Sequence, residues 1–143
     1  MYHYTECGLD NVWLINGFTV ETIDGEEFVS FEEADDLHAA IGRTLASKPN
    51  LTAAEFKFLR KELGLSQKRL ADMLGTSEQT ISLWERGSEI PKSTERLLKL
   101  VYLDHLDGNV KVHEMISRLL DLDAKEASKF VFEDTKAGWR VAA

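Results

Sequence analysis

The chain predicts an α+β protein: a small N-terminal antiparallel sheet with one helix, then a helical bundle, then a short C-terminal tail of helix and strands. Three observations point that way. Residues 1–31 carry short apolar stretches divided by Asn16-Gly17 and Asp24-Gly25, dipeptides that favour two-residue hairpin turns. Residues 51–106 carry apolar positions three and four apart, the spacing of one helix face, punctuated by cap residues and glycines. Within them Leu65–Gly87, LSQKRLADMLGTSEQTISLWERG, reads as two short helices around one tight turn. The boundaries expected are 1–50 for an acidic α/β unit, 51–106 for the bundle and 107–143 for the tail.

Taken in order, Tyr2, Tyr4 and Glu6 alternate with His3, Thr5 and Cys7 up to Gly8, a strand pattern. Val12–Ile15 is an apolar run that Asn16-Gly17 is expected to turn back into Phe18–Ile23. Asp24-Gly25 turns again into Phe28-Val29, so the sheet should have three or four strands. Ser30 and Glu33 have capping-box spacing. Phe31, Ala34, Leu37, His38, Ile41 and Leu45 then follow helical spacing to about Ala46, and Pro49 closes the segment. A sheet this small is marginal alone, so the helix is expected to pack its apolar stripe on it. His38 lies on that stripe with no second histidine or cysteine at ligand spacing, which makes it a structural histidine rather than a metal ligand. Cys7 is read as a small apolar filler.

In the bundle, Thr52 and Glu55 form a capping box for a first helix with Phe56, Leu59 and Leu63 inward and Gly64 at its end. Ser66 can cap the next helix, whose Leu70, Ala71 and Leu74 share a face. Gly75 supplies the positive φ of the turn. Ser77 can cap the following helix, in which Ile81 and Trp84 define the inner face. At about 100° per residue, Gln79, Ser82, Leu83 and Arg86 then point away from it. Glu89-Ile90-Pro91 connects to a further helix starting at Ser93 or Thr94 and carrying Leu97, Leu98, Leu100, Val101 and Leu103. Gly108-Asn109 breaks the bundle. Val112, Met115, Ile116, Leu119 and Leu120 predict a helix to about Leu122, Phe130–Phe132 a strand, and Trp139 with Val141 another beyond the loop at 136–138. This tail could complete the N-terminal sheet or cover a dimer interface.

Charge is unevenly placed. The formal net charge is −8, yet residues 1–50 account for −8, residues 51–103 for +2 and residues 104–143 for −2. The helix pair thus lies in the one net-positive part of an acidic chain, and a local basic face is enough to meet phosphate. The acidic run from Glu26 to Asp36 is either a solvated face or a docking surface for a basic protein. A single cysteine excludes an intrachain disulfide and a multi-cysteine zinc site. No apolar run reaches the roughly 18 residues of a membrane span, and the N-terminus lacks the features of a secretory signal, so a cytoplasmic protein without membrane association is expected. No Ser–His–Asp signature, metal cluster or glycine-rich phosphate loop marks an enzyme.

The order of a helix, a glycine, then LSQ, LA, LG, S, QTI, WERG and a proline resembles the lambda-repressor-like family, also called the XRE or Cro type, over about residues 52–106. The resemblance implies a DNA-binding helix-turn-helix. It places Ser66 and Gln67 where the family meets DNA phosphate, and Ser77, Glu78, Gln79, Ser82 and Leu83 on the recognition helix. It also puts Arg60 and Glu85 where the family often has a buried Arg–Glu pair. The residues themselves support this reading. The second helix of such a motif enters the major groove, and the Gln79 amide can bridge adenine N6 and N7. Leu83 stands where the family commonly has a polar or basic residue; it either meets a thymine methyl or contributes nothing. Lys68, Arg69, Arg86 and Lys92 are the phosphate candidates.

On YHYTECGLDNVWLINGF, LHAAIG and LTAAEFKFLRKELGLSQ, most of the chain also resembles the MqsA/YgiT-type antitoxins. This implies a repressor whose N-terminal domain binds a basic ribonuclease toxin. The relatives hold zinc with paired cysteines; Cys7 alone implies a sheet held by packing, with no metal and no other cofactor. The expected function is therefore a sequence-specific repressor, homodimeric on a palindromic operator in double-stranded DNA, serving as the antitoxin of a type II toxin–antitoxin system and autoregulating its operon. The alternative is a stand-alone regulator of the same type whose N-terminal domain binds a small ligand or only dimerises.

Overall fold

The computed structural model describes residues 1–108, 114 and 131–142. Four short strands come first: β1 (Tyr2–His3), β2 (Trp13–Leu14), β3 (Phe18–Ile23) and β4 (Glu26–Phe31). Five helices follow: α1 (Ala34–Ala46), α2 (Ala53–Glu62), α3 (Gln67–Leu74), α4 (Glu78–Glu85) and α5 (Lys92–Leu106). Strands β5 (Phe132–Thr135) and β6 (Gly138–Val141) close the described part. This is the α+β arrangement that the sequence predicts.

The N-terminal strands form two separate antiparallel pairs, β1 with β2 and β3 with β4, rather than one sheet of three or four strands. Asp24 (φ 53) and Gly25 (φ 81) make the β3–β4 turn, with both central residues at positive φ as a type I′ hairpin requires. Asn16-Gly17 closes no hairpin, because β2 pairs back to β1. The Gly17 carbonyl instead accepts the Glu32 amide at 2.9 Å, which extends the β3–β4 ladder. The strand pattern expected to reach Gly8 is cut after His3, and the Gly8 amide donates to Thr5 O at 3.0 Å in a turn.

The same ladder overturns the capping box expected at Ser30 and Glu33. Ser30 is held opposite Thr19 and Phe31 opposite Phe18, so the backbone is not released for a helix until Glu33. That residue takes a left-handed conformation (φ 48) without a side-chain cap bond, and α1 starts at Ala34. Phe31 consequently belongs to the sheet. Its ring lies 5.6 Å from Tyr2 and 4.9 Å from Tyr4.

Helix α1 packs against α2 and α5. Its Ile41 and Leu45 join one core that runs from Tyr4 and Leu9 through Phe56, Leu59, Leu70 and Ile81 to Leu98 and Tyr102. His38 acts as a tie: its Nε2 meets Tyr4 Oη at 2.7 Å and its Nδ1 meets Glu62 Oε1 at 2.6 Å, linking the N-terminal segment, α1 and α2. Cys7 is half-buried and directs its thiol at Tyr4 O, 3.7 Å away. The α1–α5 contact is close enough to need a glycine. A Cβ built on Gly42 would lie 1.8 Å from Tyr102 Oη. Burial pushes the Tyr102 hydroxyl up to a pKa of about 12, so it stays neutral in that contact.

Helix α2 begins with the expected capping box: Glu55 N donates to Thr52 Oγ1 at 3.2 Å, and Thr52 N donates to Glu55 Oε1 at 2.8 Å. Lys48 Nζ donates to both Glu55 oxygens at 2.7 Å. Burial by itself raises the Glu55 pKa, but Lys48 and the Thr52 groups outweigh it and leave the carboxyl below its ordinary 4.5. Helix α5 begins directly after Pro91, slightly ahead of the expected Ser93 or Thr94. Its run of apolar residues divides: Leu98, Val101 and Tyr102 are buried, while Leu97 and Leu100 are exposed. Strands β5 and β6 pair with each other, Phe132 opposite Val141, and among the described residues they do not join the N-terminal strands. Apart from residue 114, the helix predicted near 112–122 lies outside the described residues, as does Phe130.

Two outcomes follow for stability. Gly42→Ala is expected to destabilise by about 1–3 kcal/mol through overpacking, even though alanine alone favours a helix by about 1 kcal/mol. In urea denaturation its cost should shrink when combined with Tyr102→Leu; additive costs would refute the contact. Glu55 titrates lower folded than unfolded, so its stabilisation is complete above pH 4.5 and is lost as the pH falls through the lower folded value. Glu55→Gln should flatten that part of the acid limb in pH-dependent unfolding.

Candidate nucleic-acid interface

Helices α3 and α4 are set by local chemistry. Ser66 Oγ accepts the Arg69 amide at 3.0 Å and caps α3. Gly75 ends it in a left-handed conformation (φ 70), with the Thr76 amide reaching back to Ala71 O at 3.0 Å, the long bond of a Schellman turn. Ser77 Oγ then accepts the Thr80 amide at 3.2 Å and caps α4. Leu70, Ala71 and Ile81 are fully buried between the two helices and the rest of the bundle. Trp84 is half-buried and meets Phe56 of α2 edge-on at 6.1 Å.

A buried polar clamp fixes the far end of α4. Arg60 on α2 donates to Glu85 through Nε at 2.6 Å and Nη2 at 2.9 Å, with the two side chains only 8% and 3% exposed. The remaining Arg60 nitrogen, Nη1, donates to Leu65 O at 2.7 Å in the loop before α3. Gln67, the first residue of α3, donates to Glu85 Oε1 at 3.2 Å. Four groups from α2, a loop, α3 and α4 thus share one bidentate ion pair, the stronger kind of hydrogen bonding.

With Ile81 held inward, the outer face of α4 is defined. Glu78, Gln79 and Arg86 are exposed, Ser82 is half-buried and Leu83 is 47% exposed. Arg86 Nε donates to Ser82 O at 3.3 Å, close to its own helix. Ser66 and Ser77 are exposed at the N-terminal ends of α3 and α4, where amides and helix dipoles favour anions. Lys68 is exposed and meets Asp72 at 3.6 Å; Arg69 is half-buried. Gln67 differs from the rest of the expected set, because its side-chain nitrogen is engaged by Glu85. Lys92 differs more. It donates to Pro49 O at 3.0 Å and to Asn50 Oδ1, and it pairs with Glu95, so it clasps the α1–α2 linker to α5.

Two cations escaped the sequence reading. Lys57 and Lys61, four apart on the outward face of α2, line a cleft of about 380 Å³ together with Arg86, Glu85, Cys7 and Gly8. Their helical spacing was visible in the sequence, but only the structure brings them to the end of α4. Among the described residues no group of three or more His, Cys, Asp or Glu side chains is placed to hold a metal ion, and no helix is long and apolar enough to cross a membrane.

Residues 56–101 match the family model described as helix-turn-helix. They form an XRE-type helix-turn-helix domain, a DNA-binding fold; the match leaves the N-terminal unit and the tail outside it. Comparison with curated proteins and with solved structures finds no match.

The clamp gives a direct test of what orients α4. Glu85→Ala leaves Arg60 buried and unpaired and is expected to cost about 3–5 kcal/mol. Arg60→Met with Glu85→Leu removes both charges together, and denaturant unfolding should find the double variant more stable than Glu85→Ala. The reverse order would show that the pair is not desolvated as described.

Proposed function

We propose that this chain is a sequence-specific transcriptional repressor that reads double-stranded DNA with α4 and serves as the antitoxin of a type II toxin–antitoxin pair, autoregulating the operon. The observation that carries the first part is the outward face of α4, oriented by the Arg60–Glu85 clamp within the helix-turn-helix domain. In this reading Gln79 is the principal base reader, through an exposed amide suited to adenine. Ser82 and Leu83 flank it, and Glu78 stands at the edge of the contact. Ser66, Lys68, Ser77 and Arg86 hold phosphates, joined by Lys57 and Lys61; Gln67 positions Glu85 and borders the phosphate. One such motif makes few contacts, so a homodimer on a palindrome is expected, with half-sites about 34–36 Å apart.

The antitoxin part rests on the N-terminal third. Hairpin β3–β4 carries Glu21, Asp24, Glu26 and Glu27 without a basic residue, and it exposes Val20, Ile23 and Phe28. A basic ribonuclease toxin is complementary to that surface in charge and can cover its apolar side chains. One observation favours a second reading, a stand-alone regulator with a small-molecule effector. A cleft of about 460 Å³ lies between the N-terminal segment and α1, lined by Leu9, Val12, Trp13, Leu37, Ile41 and Lys48 among others. Co-purification with the product of the adjacent gene separates the two. A stable complex supports the antitoxin; no complex leaves the effector reading.

Binding to the protein's own promoter and to a random duplex, followed by fluorescence anisotropy across a salt series, tests the DNA assignment. Gln79→Ala should weaken specific binding by about 1–3 kcal/mol and leave random DNA unaffected, whereas Lys68→Ala should weaken both alike and lower the salt slope by about 1. Wild-type behaviour in both variants would overturn the assignment of α4.

A further inference from the structure

Hairpin β5–β6 has one apolar face, and that face is bare. The register sets Phe132 opposite Val141 and Asp134 opposite Trp139, so these four side chains stand on one side. Glu133 and Arg140 stand on the other, where Arg140 Nε donates to Glu133 Oε1 at 2.5 Å. Phe132, Trp139 and Val141 are 58%, 75% and 71% exposed. The ladder continues past the strands, with the Ala142 amide donating to Val131 O at 2.9 Å. Two four-residue strands make a hairpin that is marginal by itself in water and needs its apolar face covered. Among the described elements, no other helix or strand packs broadly on it.

Charge and area select what covers the face. In β5–β6 the acids Glu133 and Asp134 are balanced by the bases Lys136 and Arg140. Hairpin β3–β4 also exposes apolar side chains, but its charges are all acidic and would meet Asp134 with like charge. We propose that β5–β6 packs face to face on β5–β6 of a second copy of this chain. With the two hairpins reversed about a two-fold axis, Trp139 of each lies over Phe132 and Val141 of the other. The two Asp134 carboxylates then sit at opposite ends of the contact. The interface is isologous, as a two-fold dimer requires. The three apolar side chains expose roughly 400 Å² per copy, so the pair buries about 800 Å² and lies at the small end of specific interfaces. An operator that holds both copies would reinforce it. The inference rests on the two-fold reading proposed above and gives that reading a surface outside the helix-turn-helix domain.

Sedimentation equilibrium of the full chain over a concentration series tests it, with circular dichroism to check folding. Wild type should reach twice the chain mass. Trp139→Asp and Val141→Asp should each dissociate at least about ten-fold more readily, because a charge enters an apolar contact. Glu133→Gln combined with Arg140→Gln removes the ion pair of the opposite face and should shift dissociation by less than about two-fold. Equal losses from the two faces would show that the integrity of the hairpin, not its apolar face, governs association, and would overturn the packing. A wild-type dimer untouched by all of these substitutions overturns this surface and leaves the palindromic repressor standing. A wild type that stays monomeric overturns the proposal, and if it also occupies operator half-sites independently, the two-fold reading falls with it. A monomer whose melting temperature Trp139→Asp lowers places the face against the chain's own body, and overturns the proposal as well.

Discussion

The bidentate pair between Arg60 and Glu85 is the constraint on which the helix-turn-helix depends. It joins the third turn of α2 to the last residue of α4, and its spare donor and acceptor take in Leu65 O and the Gln67 amide. The two helices packed on α4, α2 and α3, are therefore both tied to one buried carboxylate. Charges so deeply desolvated contribute little net stability, but breaking one partner is costly. The pair thus penalises displaced arrangements of α4 more than it favours the native one. Apolar packing through Ile81 and Trp84 holds the helix against the bundle; the polar clamp sets its angle and its rotation.

Polar ties of the same kind attach the N-terminal unit. His38 bridges Tyr4 and Glu62, Lys48 crosses to Glu55, and Arg43 meets Asp107 at 3.0 Å. Each joins α1 or a segment beside it to the bundle, next to a shared apolar core. The Gly42–Tyr102 approach adds steric definition, because it leaves no room for a side chain between α1 and α5. The N-terminal unit is thereby tied to α2, the helix that carries Arg60. The Glu62 carboxylate that meets His38 lies two residues from Arg60 in α2.

What was legible in the sequence was local. The caps at Thr52, Ser66 and Ser77 and the turn at Gly75 each involve residues within a few positions, so spacing alone identifies them. The α+β class followed from the same short-range signals. The larger departures were non-local. Ser30 and Glu33 have the right spacing for a cap, but Ser30 is committed to Thr19 across a ladder. Gly17 adopts the positive φ expected of a turn, yet the identity of the paired strand is decided by β1. The five apolar positions of α5 encircle the helix, so periodicity cannot select the buried side. The clasp that Lys92 makes carries no spacing signal, because Pro49 and Asn50 lie 43 and 42 positions away. For the candidate interface, the bounds of α4 were readable, while the convergence of Lys57, Lys61 and Arg86 on one cleft was not. The Arg60–Glu85 pair came from a family resemblance, since a separation of 25 positions carries no spacing signal.

Helix α4 is only eight residues long, about 12 Å at 1.5 Å per residue. Laid along a groove that advances 3.4 Å per base pair, it spans about three to four base pairs. The two copies proposed above would inspect about six to eight, a string that recurs by chance on the order of once in 4 × 10³ to 7 × 10⁴ positions of random sequence. Counted as information, so short a reader cannot single out one promoter in a genome by base contacts alone. On the proposed palindromic reading, the missing discrimination would come from the distance between the two half-sites and from how readily the untouched DNA between them bends and twists.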